Sequence, residues 1–363
     1  MCKCISSFIV KSKIYLIQII IIMIFLSTMS FALSQEAPQY SFKVSCGDSF
    51  YGTEGYTAQR FCAGVEYLSG GKIGFKVFPD AQLGEEQETL EALQLGTIDV
   101  MVGSIAKLSS ITKKLSLFDT PFLFRGELDQ IDMIFESSSK LTPVTEKMLK
   151  EASEEAGFHV LSLTMFGQKI ALFNVPVRSL EDLEGKKIRL QPSALQLDAW
   201  RFLGLNTTTL TWSELYTALQ THVVDGAELV TEEYVDCSFY EVAPYIVVDK
   251  HANHSTYVAI SEKAWSSLNQ PLQNIVKEVA VRAAYLDSHM AMGFTISKMD
   301  EAKNFAKGVT VFDEETLKEM RNKVLPKLLD KHGEEIGFDN LTYMAKSDPI
   351  IRKWCEEKDL VVQ

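Results

Sequence analysis

Residues 40–78 read YSFKVSCGDSFYGTEGYTAQRFCAGVEYLSGGKIGFKVF, and this stretch decides the class of fold. Apolar and polar residues alternate from Tyr40 to Cys46, and again from Lys72 to Phe78, which predicts two strands. Between them, residues 55–68 follow the 3.6-residue period of an amphipathic helix, and a Gly-Gly pair at 70–71 provides the turn. The order strand, helix, strand is a β-α-β unit and predicts an α/β protein.

Further α/β units are predicted downstream. A helix over 85–95 leads directly into a strand over 97–102. A strand over 167–173 and a second over 187–190 precede a helix over 194–203 and a helix that ends at residue 220. Residues 239–248 are predicted as another strand region. This repetition predicts two similar α/β halves, the usual construction of an exported binding protein.

Residues 1–32 are predicted to be a secretory signal and not part of the fold. Three lysines precede an apolar run from Tyr15 to Leu26, and Ser30 and Ala32 form a small-x-small cleavage site. A retained membrane anchor is the alternative, because the run approaches the roughly 20 residues that cross a bilayer. With a cleaved signal, the mature protein is expected in the periplasm.

Charge and length limit the partners and the architecture. Without residues 1–32, the chain has 33 Lys and Arg against 48 Asp and Glu, a formal charge of −15, which argues against nucleic acid and anionic membranes as partners. A chain this long exceeds one hydrophobic core. We therefore expect lobe I over 36–166 plus 255–294, and lobe II over 167–254 plus 295–363. A helical pattern over 271–306, about 54 Å long at 1.5 Å per residue, is expected to brace both lobes.

Arg189 is the first candidate for a ligand contact. It lies between Ile188 and Leu190 on a predicted strand, so it faces away from the apolar side of that strand. Its planar guanidinium matches a carboxylate with two charge-assisted hydrogen bonds. An ordinary arginine at a strand end is the alternative. Lys169 on another predicted strand would add a second cation, and Trp212 would form an apolar wall or, alternatively, pack onto the core.

Histidines and cysteines leave two further possibilities open. His251 and His254 have the H-x-x-H spacing of two zinc ligands, although no acidic or cysteine partner stands at ligand spacing. A disulfide between two of the four cysteines beyond the signal is possible, with Cys46 and Cys62 as candidates and buried free thiols as the alternative; those four are Cys46, Cys62, Cys237 and Cys355. No nucleophile, metal or phosphate-loop motif of an enzyme occurs, so neither catalysis nor a cofactor is predicted.

Several motifs together resemble one known family. They are FPDAQLGE at 78–85, EALQLGTID at 91–99, PFLF at 121–124, DLEGKKIR at 182–189, ELYTALQ at 214–220, VDGAE at 224–228, EVAPYI at 241–246 and His251. The chain resembles the dicarboxylate-binding type of solute-binding protein from tripartite ATP-independent periplasmic (TRAP) transporters, over nearly its whole mature length. A receptor of an ATP-driven importer has the same architecture, and only these motifs separate the two.

The resemblance implies an α/β, two-lobed periplasmic binding protein of the Venus-flytrap type, with a long helix that braces both lobes. It further implies a small organic acid as ligand, and small and large integral-membrane permease subunits as partners. Relatives grip the ligand carboxylate with the arginine that corresponds to Arg189. We expect Lys169 to assist it, Trp212 and Leu229 to shape the apolar wall, and Glu86 and Ser104 of lobe I to complete the closed site.

Three positions depart from the family pattern. Lys169 stands where an arginine is usual, so a second bidentate contact becomes a point charge. Leu229 replaces a frequent asparagine and removes an amide donor, and His222 replaces a usual glycine. These differences leave the identity of the organic acid open.

Overall fold

The computed structural model describes residues 37–360. The predicted signal at 1–32 lies outside the described residues. Within 37–360, no helix combines the length and the apolar character needed to cross a membrane.

The β-α-β opening is confirmed. Strand β1 (Tyr40–Cys46) and strand β2 (Ile73–Phe78) are parallel and are joined by helix α1 (Thr53–Leu68). Helix α2 (Glu86–Gln94) then leads into β3 (Val100–Ser104), which pairs with the other edge of β1. Apolar residues of β1 and α1 face each other in one buried cluster, which includes Phe42, Val44, Phe61 and Val65.

The other strands and helices continue in chain order. The remaining strands are β4 (Phe135–Ser137), β5 (Lys140–Leu141), β6 (Phe158–Phe173), β7 (Lys187–Leu190), β8 (Asn206–Thr209), β9 (Gly226–Val230), β10 (Tyr245–Val248), β11 (Asn253–Ser261) and β12 (Gly308–Val311). The remaining helices are α3 (Ile105–Leu108), α4 (Glu127–Ile134), α5 (Pro143–Ala156), α6 (Ala194–Leu203), α7 (Trp212–Gln220), α8 (Thr231–Asp236), α9 (Glu262–Ser267), α10 (Gln270–Phe305), α11 (Glu314–Ile336), α12 (Phe338–Met344) and α13 (Pro349–Glu357).

Strand β6 connects the two halves of the sheet. We call the side of β2, β1, β3 and β11 the first half, and the side of β9, β7 and β8 the second half. The sheet order is β2-β1-β3-β11-β6-β9-β7-β8, and the pair β10-β12 joins through the last residues of β6. The first part of β6, up to Gln168, pairs with β11, whereas its residues 169–173 pair with β9. The predicted strand over 167–173 is therefore only the last part of a 16-residue strand that serves both halves.

Gly167 lies within β6 where the pairing changes. Its φ is 120°, a conformation that side-chain-bearing residues rarely adopt, and the register with β11 shifts between His254 and Ser255. A Cβ atom at Gly167 would lie 2.6 Å from Thr295 Oγ1 of helix α10. Both the backbone conformation and the close approach of the helix thus require glycine.

Helix α10 braces both halves, as the resemblance implies. It packs on α1 of the first half, along β6, and on α8 of the second half. A salt bridge fixes it to each side: Arg60 Nε lies 2.7 Å from Asp287 Oδ1, and Lys298 Nζ lies 2.6 Å from Asp236 Oδ1. The two-lobed α/β fold with a long bracing helix is confirmed.

The C-terminal region, from α11 to α13, is helical and packs on α6 through α11. His332 Nε2 of α11 contacts Asp198 Oδ2 of α6 at 2.7 Å. Only part of the region 239–248 is a strand, because residues 239–241 form a 3-10 turn before β10 begins at Tyr245.

The four cysteines of the described chain are unpaired. Cys46 ends β1 and Cys62 lies in α1, and burial raises the pKa of both thiols. The structure therefore has the buried free thiols and not the Cys46–Cys62 disulfide.

Candidate functional site

A cleft of about 150 Å³ lies between the two halves. The first half supplies residues from the loops after β1 and β2 and from α1 to α3, among them Asp48, Glu86 and Lys107. The second half supplies Gln191, which follows β7, and Trp212 at the start of α7. Both halves are therefore needed to enclose this space.

Arg189 on β7 is buried, with 1% of its surface exposed. Gln191, two residues further along the chain, is among the residues that line the cleft, but Arg189 itself is not. Its Nε and Nη2 donate to the backbone oxygen of Leu210 at 3.0 and 2.8 Å. Within residues 37–360, no carboxylate forms a salt bridge with it. Burial lowers the pKa of Arg189 to about 10, against the opposing effects of Glu228, Glu233 and Glu85, so the guanidinium stays charged at neutral pH.

Lys169 is equally buried but has a carboxylate partner. Its Nζ lies 2.6 Å from Glu228 Oε1 on the neighbouring strand β9. Trp200 Nε1 and His251 Nε2 contact the other oxygen, Glu228 Oε2, at 3.0 and 2.7 Å. His251 Nδ1 in turn lies 2.6 Å from Asp249 Oδ1. Lys169 thus belongs to a buried network of charged and polar side chains, whose members are Lys169, Glu228, Trp200, His251 and Asp249.

The network keeps Glu228 and His251 ionised. Burial favours a neutral Glu228, but Lys169 and His251 outweigh it and lower the pKa of the Glu228 carboxyl far below its ordinary value. Burial also disfavours a charged His251, yet Asp249 and Glu228 raise its pKa to about 9. Glu228, Trp200 and Asp249 were not predicted as site residues, because contacts between residues so far apart in the chain leave no pattern in the sequence.

Glu86 of the first half lines the cleft, and Ser104 is buried next to Glu86. Ser104 N donates to Glu86 Oε1 at 2.8 Å, and Lys107 Nζ pairs with Glu86 Oε2 at 2.6 Å. The Ser104 hydroxyl donates to Gln191 Oε1 at 3.0 Å, a bond that crosses the cleft. A second crossing bond joins the Ser213 hydroxyl to Glu85 Oε1 at 2.7 Å. This conformation is therefore a closed one.

Trp212 and Leu229 occupy different environments. Trp212 is partly exposed, lines the cleft and packs edge-on against Phe239 with ring centroids 5.5 Å apart. Leu229 is 4% exposed and lies in an apolar cluster of the second half with Ile170 and Leu172. The structure brings Trp212 to the cleft, and a contact between Leu229 and the ligand stays a prediction.

The two histidines of the H-x-x-H pattern are separated by the fold. His251 is held by Glu228 and Asp249, whereas His254 lines the cleft. Within the described part of the chain, no three His, Cys, Asp or Glu side chains form a group suited to a metal ion.

Two α/β halves around a cleft and a helix that braces both define a two-lobed solute-binding protein. Residues 52–334 match the family described as bacterial extracellular solute-binding protein, family 7, and the chain belongs to this family, which includes solute-binding proteins of TRAP transporters. This membership supports the TRAP interpretation, and not a receptor of an ATP-driven importer or a metal-binding protein.

Relatives of known name agree with this family. The chain is 28% identical over 295 residues to the C4-dicarboxylate-binding periplasmic protein DctP of Rhodobacter capsulatus, covering 79% of this chain and 85% of the relative. It is 27% identical over 262 residues to the sialic acid-binding periplasmic protein SiaP of Vibrio cholerae, covering 72% and 79%. A TRAP periplasmic solute-binding protein of Ochrobactrum anthropi superposes with a TM-score of 0.73 at 29% identity, covering 88% of this chain and 97% of that one.

Proposed function

We propose that this protein binds a small organic acid in the periplasm, with the acid's carboxylate on Arg189, and delivers it to the small and large membrane subunits of a TRAP transporter. The observation that carries the proposal is a buried guanidinium without an acidic partner in the described chain. A charge buried in this way is costly unless a counter-charge arrives. In this proposal, the protein performs no chemistry on the acid and needs no cofactor.

The hydrogen bonds of Arg189 leave the correct edge of the guanidinium available. A guanidinium has five N–H donors, and Leu210 O receives one from Nε and one from Nη2. The remaining donors include the parallel pair on Nη1 and Nη2. That edge matches the two oxygens of a carboxylate.

The closed conformation explains how recognition is linked to delivery. Arg189 is 1% exposed, so a ligand enters only when the lobes are apart. On closing, Ser104 and Ser213 bond across the cleft to Gln191 and Glu85. A ligand that contacts both lobes shifts the population toward the closed form by its differential affinity. Glu86 then acts through Lys107 and Ser104, and Lys169 acts through the field of its network.

The names of the relatives support an organic acid but differ in which one. One relative is named for C4-dicarboxylates and another for sialic acid. A thermal-shift screen against an organic-acid library identifies the ligand class, because a ligand at 100 times its dissociation constant stabilises the protein by about 2.7 kcal/mol.

Arg189→Ala tests the proposal directly. We expect at least a hundredfold loss of affinity, about 2.7 kcal/mol, because a bidentate charge-assisted contact disappears. Calorimetry with the acid found in the screen measures it. Arg201→Ala is the matched control, since Arg201 is on the surface of α6 and its side chain is 53% exposed. Unchanged binding by Arg189→Ala would reject the assignment.

A further inference from the structure

We infer that the natural ligand carries a cationic nitrogen as well as a carboxylate, and that this nitrogen is bound by Asp48, Glu54 and Glu233 in the cleft. This inference rests on the proposed function, which places the carboxylate on Arg189. It concerns the other end of the ligand.

The cleft lining is strongly acidic. Six carboxylates line it, together with one lysine and one histidine; the carboxylates are Asp48, Glu54, Asp80, Glu85, Glu86 and Glu233. The lysine, Lys107, is already paired with Glu86 at 2.6 Å. Two further buried cations lie nearby: Lys169 is already paired with Glu228, and Arg189 is the residue that the proposed function assigns to the ligand carboxylate. The rest of the lining favours positive charge.

Three of the carboxylates are held in place by one oxygen each. Asp48 Oδ2 accepts from the Thr53 hydroxyl at 2.8 Å, and Glu54 Oε2 accepts from Gly47 N at 2.6 Å. Glu233 Oε2 accepts from Val230 N at 3.1 Å. The second oxygen of each has no hydrogen-bond partner among residues 37–360. Glu54 is only 3% exposed, so this free oxygen belongs to a side chain that is almost completely buried at the cleft.

His254 is an independent sign of a missing ligand group. It lines the cleft, is 6% exposed, and its ring has no hydrogen-bond partner within the described chain. Burial, with smaller effects of Lys169 and Lys107, lowers the pKa of His254 to about 3. The imidazole is therefore neutral and does not offset the acidic lining, while its nitrogens are available to a polar ligand.

Mutual repulsion accompanies this arrangement. Burial and Asp48 raise the pKa of Glu233 to about 8, although Val230 N and Arg189 oppose them and Glu232 adds to them. Burial, Asp48 and Glu86 raise the pKa of Glu54 well above its ordinary value, against Lys107 and Gly47 N. A cationic nitrogen would favour the ionised carboxylates and pair with them, whereas a second carboxylate would gain no such pairing.

Three four-carbon acids that differ in one terminal group test the inference: 4-aminobutyrate, 4-hydroxybutyrate and succinate. Calorimetry on the full mature protein should give the order amino, hydroxy, dicarboxylate, with about a tenfold difference between the first and the last, the size of one charge-assisted hydrogen bond. The sign of proton exchange is a second measurement. At pH 7, where Glu233 with its pKa of about 8 is mostly protonated, 4-aminobutyrate should release protons from this carboxyl, whereas succinate should release none.

Glu233→Gln separates charge from structure, because the amide oxygen still accepts from Val230 N. We expect about a tenfold weaker binding of 4-aminobutyrate and no loss for succinate. Asp48→Asn is a second variant with the same expectation, and Glu91→Gln, exposed on α2, is the control.

The outcomes distinguish this inference from the proposed function. If succinate binds as tightly as 4-aminobutyrate, or tighter, and Arg189→Ala abolishes its binding, the cationic nitrogen is rejected and the carboxylate site stands. If none of the three acids binds, the inference is rejected. If, in addition, the acid identified by thermal shift binds Arg189→Ala normally, the proposed function is rejected as well.

Discussion

Arg189 and Lys169 stand on the two strands that flank β9, and both are almost completely buried, at 1% and 3% exposure. Lys169 meets Glu228 at 2.6 Å, whereas Arg189 meets only a backbone oxygen. The two cations are alike in charge and burial and differ in whether the protein itself supplies the counter-charge. Burial therefore does not distinguish the two cations, whereas the presence or absence of a carboxylate partner does.

The largest expected effect is a difference in the free energy of unfolding between variants of the two cations. Lys169→Met should destabilise the ligand-free protein by about 3–5 kcal/mol, because Glu228 loses a buried partner. Arg189→Met should stay within about 1 kcal/mol, since the lost bond to Leu210 is offset by removal of an unpaired buried charge. Urea unfolding of both variants measures this difference. Equal losses would show that the two sites are equivalent.

A pH series tests the network around Lys169 through the charge on His251. The folded-state pKa of His251 is about 9, above its ordinary value of about 6.5. Its stabilising contribution is thus fully present below pH 6.5 and lost as the pH rises toward 9. We expect a loss on the order of 2 kcal/mol across this window, absent from His251→Gln. Thermal or urea unfolding at pH 6.5 and 9 checks it, and parallel curves for the two proteins would contradict it.

The smallest expected effect is on ligand affinity and concerns Ser104, which bonds to a residue close to Arg189 in the chain. Ser104→Ala removes the bond to Gln191, two residues after Arg189, and weakens the closed form. Affinity for the acid should fall by about threefold to tenfold, corresponding to about 0.5–1.5 kcal/mol. Titration calorimetry gives the value, with Ser110→Ala, an exposed serine on the first half, as control. A hundredfold loss would place Ser104 in direct contact with the ligand.

Local patterns predicted much of the fold. Strand β7 and helix α6 have the predicted ends, because their apolar periods and the turn at Gly204 are contained in the sequence itself. The full length of β6 and the strand β11 were not predicted. Nearly every residue of β6 is buried, and all of β11 is, so neither strand shows the alternation that reveals a half-exposed strand.

The site was predicted in part for the same reason. Arg189 was assigned from its strand together with the family resemblance. Glu86 and Trp212 line the cleft and Ser104 bonds to the lining residue Gln191, while their contacts with a ligand stay predictions. The partner of Lys169 was not predicted, because Glu228 is 59 residues away along the chain. The acidic lining was also missed, since Asp48 and Glu233 become neighbours only when the halves meet.

Gly167 lies where the pairing of β6 changes, and there is almost no space there for a side chain. A single methyl group there would press on Thr295 of the brace. Strand β6 pairs with β11 before this point and with β9 after it, so both halves depend on this one stretch of backbone. An added carbon atom at Gly167 would therefore strain the junction of the two halves, although Gly167 is not among the residues that line the cleft.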